Sequence, residues 1–301
     1  MTVRPSVFVQ VLLSVARTAF AEPAALPEAL PPPSGQLEAG AHFGVAQAPF
    51  DVSTLHEAKG QAVVFMVGGR YALAERLTLE LCAPLVLGSI EQPAGSYVDA
   101  AALGNPQLGA RYRLLERGSA GARGQLFGAL ELGLPLASHA EDLMPNRALA
   151  IADGIEGRGH PEWFTPGVVP VTASSAFRWA PAAWTLEAEL RLPLLVRVSE
   201  ADLPNAAATK SVGLAGVLSG EARYRLSRRL SLAAAAHLFV DVLPVVEHAS
   251  GVSQLQDFER LSLHIHFGAL AALVLDFQTA LGGDLGGSMF AGGLRAAVNL
   301  R

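Results

Sequence analysis

Residues 184–198 read WTLEAELRLPLLVRV. Trp184, Leu186, Ala188, Leu190, Leu192, Leu194, Val196 and Val198 alternate with Thr185, Glu187, Glu189, Arg191, Pro193, Leu195 and Arg197. A period of two marks a β-strand, because successive side chains of a strand point to opposite faces. A soluble sandwich has no need of a strand this long, whereas a tilted strand crossing a bilayer does. The same alternation returns at 212–226, where Val212, Leu214, Gly216 and Leu218 oppose Gly213, Ala215, Ser219, Glu221, Arg223 and Arg225. It recurs at 37–46, 62–74, 77–88 and 288–300, and in all about twelve segments follow it between 37 and 300.

The connections between these segments alternate in length. Short turns fall near 75, 118, 181, 228 and 269; longer loops are expected at 47–61, 89–105, 138–166, 199–210 and 243–257, with 283–287 shorter. An even strand number, apolar-out and polar-in alternation, and short turns opposite long loops predict a single antiparallel transmembrane β-barrel of about 12 strands. Closure is required, because an open sheet edge in hydrocarbon leaves backbone groups without partners.

Composition agrees. The 301 residues are 51% hydrophobic and 16% charged, and the mean hydropathy is +0.34, yet no uninterrupted apolar run is long enough for a membrane helix. A net charge of −5 offers no basic field for a phosphate backbone, so nucleic acid is not an expected partner. The single cysteine, Cys82, excludes an internal disulfide, a CxxC pair and a Cys-rich zinc site; it falls on the inward face as a small space-filler.

Residues 1–21 place Arg4 before the apolar stretch 7–16 and end Ala19-Phe20-Ala21, the pattern of a secretory signal peptide. Residues 22–36, with Pro23, Pro27 and Pro31 to Pro33, are expected to form an extended periplasmic linker, leaving 37–301 as the barrel. Tyr71, Tyr112, Trp179, Trp184 and Tyr224 all fall on the outward face near short turns, as an aromatic girdle at one membrane interface would.

Projecting the alternation inward gives a lumen lined by Arg70, Arg111, Arg113, Arg178, Arg191, Arg197, Arg223, Arg225, Arg260 and Arg295, with Glu38, Glu80, Glu131, Glu187, Glu189, Glu221, Asp241 and Asp276. Signs this evenly mixed predict ion pairs across strands more than a selectivity ring. His237, His264 and His266 are weak candidates for a metal site; no metal or other cofactor is expected. No GxSxG and no nucleophile with an adjacent acid is present, so no catalytic residues are assigned. The longest loop, 138–166, is expected to be a solvated surface loop, with an inward constriction as the second reading.

The segment GNPQLGARYRLL from Gly104, echoed by SGEARYRLSRRLSL from Ser219, resembles strands of bacterial outer-membrane barrels, in particular the transporter group linked to phenol meta-pathway degradation. The residues that carry the resemblance are Gly104, Asn105, Gly109, Arg111, Tyr112 and Arg113. It implies an outer-membrane barrel that passes small, often hydrophobic compounds and takes the outer-membrane assembly machinery and membrane lipid as partners. Such barrels end in an aromatic residue; here Leu300 occupies the outward penultimate place. The expectation is therefore a channel for passive passage of a small solute, with a non-transporting structural or adhesive barrel, its lumen closed by ion pairs, as the alternative.

Overall fold

The computed structural model describes residues 34–48, 58–92, 95–119, 122–137, 143–156, 159–198, 210–243, 255–267, 270–283 and 287–300. The expected signal peptide and nearly all of the expected proline-rich linker lie outside them. The first strand, β1, already begins at Ser34 and runs to Ala48. It is followed by β2 (Ala58–Ala74), β3 (Leu77–Glu91), β4 (Tyr97–Leu103), β5 (Gln107–Ser119) and β6 (Ala122–Gly133). Two helices, α1 (Leu143–Ile155) and α2 (Pro161–Phe164), precede β7 (Val168–Pro181). The remaining strands are β8 (Trp184–Arg197), β9 (Val212–Arg225), β10 (Leu230–Leu243), β11 (Leu255–Phe267), β12 (Ala271–Ala280) and β13 (Phe290–Leu300).

All neighbours are antiparallel, and the sheet closes because β1 pairs with both β13 and β2 while β2 pairs with β3. The thirteen strands fill twelve places in the wall. Along its first half β3 pairs with β5, from Leu77↔Tyr112 to Cys82↔Gln107; along its second half it pairs with β4, from Leu85↔Leu103 to Glu91↔Tyr97. The break between these halves is Gly104-Asn105-Pro106, where Pro106 has no N–H to give to a ladder. The Gly104 N–H bonds the Pro84 carbonyl at 3.0 Å, but the Asn105 N–H turns inward to the Trp163 carbonyl at 2.7 Å. The segment 89–105, expected to be a loop, is thus mostly the end of β3 and a wall strand, β4. Its sequence YVDAAAL has too little contrast between faces to announce a period of two.

Outward side chains such as Leu37, Val67, Leu108, Leu130, Leu190, Leu218, Leu261 and Phe277 are exposed around the wall. A belt of this extent has no place in water and is the lipid-facing surface of a membrane barrel. Tyr71, Tyr112, Trp179, Trp184 and Tyr224 are exposed on that same face. The Trp184 and Tyr224 rings touch across paired strands, with centroids 4.8 Å apart.

Candidate functional site: the lumen and its inward plug

Of the segment 138–166, expected to be a surface loop with an inward constriction as the second reading, the described residues 143–156 and 159–164 enter the barrel. Its helix α1 buries Ala148, Leu149, Ile151, Ala152 and Ile155 completely. The wall facing it is built from small or slim residues, including Ala46, Ala62, Val64, Val86 and Ala102, and these join the helix in one apolar cluster. Two glycines make the approach possible: a Cβ at Gly88 would lie 2.9 Å from the Ala148 Cβ, and one at Gly60 would lie 2.9 Å from the Ile151 Cδ1. A helix about 10 Å across, side chains included, therefore packs directly against the β1–β4 side of the wall. The reason it enters is in its own composition. LMPNRALAIADGI is too apolar for a solvated loop, and the lumen is the only nearby place for that surface apart from lipid.

Polar contacts fasten the plug at three places. At the C-terminal end of α1 the Ile155 carbonyl, one of those a helix leaves unmatched, accepts from Gln278 Nε2 at 2.6 Å. Gln278 Oε1 in turn accepts from Arg260 Nε at 3.1 Å and Nη2 at 2.9 Å. Beside it, His42 stands between Glu156 (3.1 Å) and Asp276 (3.4 Å). At the break in the wall, Asn105 Nδ2 donates to the carbonyls of Glu162 (3.0 Å) and Thr165 (2.8 Å), while its Oδ1 accepts from the Ala137 N–H at 2.9 Å.

The third fastening is Arg191 of β8. Its guanidinium donates to the Gly159 carbonyl at 2.7 Å and pairs with the Glu162 carboxylate. Glu162 also meets His160 Nδ1 at 3.0 Å, and the His160 ring stacks on Trp163 with centroids 3.6 Å apart. Burial, with Arg191 adjacent, pushes His160 down to about 3, so the ring is neutral. Burial alone raises a carboxyl, but Arg191 and His160 outweigh it and hold Glu162 below the ordinary glutamate value.

Nearer the short turns the charged side chains form a mesh. Arg70 pairs with Glu80 (3.3 Å), Arg178 with Glu187 (2.9 Å), Arg223 with Glu221, and Arg295 with Asp276 (3.3 Å) and Glu38 (4.0 Å). Arg111 lies 3.9 Å from each of Glu80, Glu187 and Glu189, bridging three strands. Arg113 reaches Glu75 and Glu116 at the rim. Arg225 is exposed at the short-turn rim and donates to the Ala182 carbonyl at 3.3 Å; Arg197 is half-buried at the far end of β8. Glu131 borders a cavity of about 70 Å³ beneath α2, which Cys82, Met66, Gln107 and Trp163 also line.

The three histidines do not converge. His237 pairs with Phe258 and stacks on its ring, while His264 and His266 lie towards the short-turn end of β11 with ring centroids 6.4 Å apart. Among the described residues no three His, Cys, Asp or Glu side chains are grouped to hold a metal ion. Sequence reading missed four of the residues that seat the plug: His42, Gln278, His160 and Trp163. The one visible signal was Asn105, a side chain with both donor and acceptor placed at a Gly-Asn-Pro break in a strand.

A closed antiparallel barrel with a continuous apolar exterior and a charged interior defines a membrane β-barrel of the outer-membrane type. No family model matches the chain, and no curated protein matches it. Solved structures do. The COG4313 outer membrane channel from Pseudomonas putida F1 superimposes with a TM-score of 0.65 at 17% identity, covering 91% of this chain and 97% of that one. The NanC porin gives a TM-score of 0.51 at 7% identity, covering 88% of this chain and 99% of that one. At these identities the likeness is one of fold.

Proposed function

We propose that this protein is an outer-membrane channel for small solutes, with the inward segment 143–164 as its gate. The observation that carries the proposal is the manner of closure. A segment outside the strand ladder lies inside the barrel, held through Asn105, Arg191, His42 and Gln278, with a cavity directly beneath it. Such contacts can be released without breaking the barrel. The chain shares its fold along nearly its whole length with a protein described as an outer membrane channel. Export through residues 1–21 and periplasmic short turns complete this reading.

A second reading rests on the mesh of Arg70–Glu80, Arg178–Glu187 and Arg223–Glu221 pairs, which would suit a structural barrel with a permanently closed lumen. Planar-bilayer recording separates the two. The protein, refolded in detergent and inserted, is expected to give discrete current steps that become more frequent when Arg191 is replaced by Gln. Inserted protein that stays silent both as wild type and as Arg191→Gln would overturn the channel in favour of the structural barrel.

A further inference from the structure

The cavity beneath α2 has a chemical bias that the charge mesh alone does not reveal. Three carboxylates border it, Glu38, Glu80 and Glu131, against two guanidiniums, Arg70 and Arg295. Arg70 is engaged by Glu80 and Arg295 by Glu38 and Asp276. Glu131 is in no ion pair within 4.0 Å among the described residues. With Arg111 also 3.9 Å from Glu80, Glu131 is the carboxylate at the cavity wall that no guanidinium meets within 4.0 Å among the described residues.

A separate observation points the same way. Gln107, only 3% exposed, gives its Nε2 to the Asn105 carbonyl at 3.2 Å, and its Oε1 is buried with no hydrogen-bond partner among the described residues. A buried acceptor left unmatched costs free energy that a ligand's donor would recover. The rest of the lining is soft and apolar: the Trp163 ring, the Met66 thioether and the Cys82 thiol, with Gly68 and Gly109 leaving room. Aromatic and sulfur groups beside a carboxylate favour a cation with an alkyl body over an anion or a bare inorganic ion. The volume of about 70 Å³ is several times the roughly 10–15 Å³ that a single water requires, room for a short alkylamine.

We infer that this cavity is a binding site for a small organic ammonium ion, its charge facing Glu131, an N–H donated to Gln107 Oε1 and its alkyl part against Trp163 and Met66. The inference rests on the channel reading, for which it names a substrate class. A bound cation would sit directly under the plug and in contact with it through Trp163.

The test uses the full chain folded in a nonionic detergent and three probes of nearly equal shape, n-butylammonium, butan-1-ol and butyrate, with binding read by calorimetry and by saturation-transfer NMR. Butylammonium is expected to bind saturably and the other two at least about tenfold more weakly. Glu131→Gln is expected to remove at least about tenfold of the butylammonium affinity, and Glu131→Asp to keep the preference for the cation. Retention of the compact, heat-modifiable band on electrophoresis shows that each variant is folded. Equal binding of butanol or butyrate, an unchanged affinity in Glu131→Gln, or no saturable binding of butylammonium would each overturn the site. Binding without bilayer current would keep the site and remove the channel reading; current without ammonium binding would do the reverse.

Discussion

Arg191 on the barrel wall and Glu162 on the inward segment form an ion pair in which neither side chain reaches solvent. Two opposite charges withdrawn from water repay their desolvation only while both are in place, and removing one leaves the other buried and unmatched. Arg191→Gln or Glu162→Gln is therefore expected to weaken docking of the plug by about 3–5 kcal/mol. The joint replacement by Leu and Gln should cost less than either single change. Limited proteolysis within 143–164 and bilayer current both read the release. Equal protease resistance in wild type and both single variants would show that the pair does not hold the segment.

Acid should loosen the same contact. His160 is depressed to about 3 and Glu162 also titrates below its ordinary value, so the docked segment binds fewer protons than the released one. The stabilisation from both groups is complete above the free histidine value of about 6.5. It is lost progressively as pH falls from there towards 3, the histidine acting first and the carboxylate below about 4.3. Open probability is expected to rise as pH drops from 7 to 3, and His160→Gln should flatten the upper part of that rise. Opening on the alkaline side instead would contradict the sign.

The alternation was legible because twelve wall positions each carry the same instruction, and parity alone placed Arg70, Glu80, Arg111, Glu187 and Arg223 in the lumen. Parity could not give their partners. Arg178 and Glu187 meet because they are directly opposed across β7 and β8, a matter of register that no single strand encodes. The plug was legible only as the second reading of 138–166, for a related reason. Its helix has little contrast between faces, since the lumen surrounds it with apolar wall on one side and packed plug on the other. The glycines and alanines that admit it, Ala46, Gly60, Ala62 and Gly88, come from three strands and meet only when pairing aligns them. β4 was lost because Ala100, Ala101 and Ala102 look alike on both faces.

Ala182 sits in the turn between β7 and β8 with φ of 50°, the only non-glycine at positive φ among the described residues. The left-handed conformation costs an L-residue about 1–2 kcal/mol, and glycine avoids this while losing part of it to a freer unfolded chain. Ala182→Gly is expected to raise barrel stability by up to about 1 kcal/mol, seen as a higher midpoint in urea unfolding from lipid vesicles. The Arg225 guanidinium contacts the Ala182 carbonyl, not its side chain, so that contact should survive. A lower midpoint would mean that the alanine methyl contributes more than its strain.

Gly88 and Gly216 offer a paired test of the gate. A Cβ at Gly88 meets the Ala148 Cβ at 2.9 Å, closer than real Cβ atoms come, and also the Ala148 Cα at 3.4 Å. A Cβ at Gly216 meets nothing within 4 Å. Gly88→Val places a branched side chain, of a kind the sheet itself favours, against a helix that has no room for it, so the strain must fall on α1 and not on the ladder. The barrel should fold and insert normally while the plug is displaced, giving higher conductance and faster cleavage within 143–156. Gly216→Ala should leave both unchanged. If Gly88→Val folds but conducts no more than Gly216→Ala, α1 is not what closes the lumen, and the ion-pair mesh below it becomes the barrier to remove.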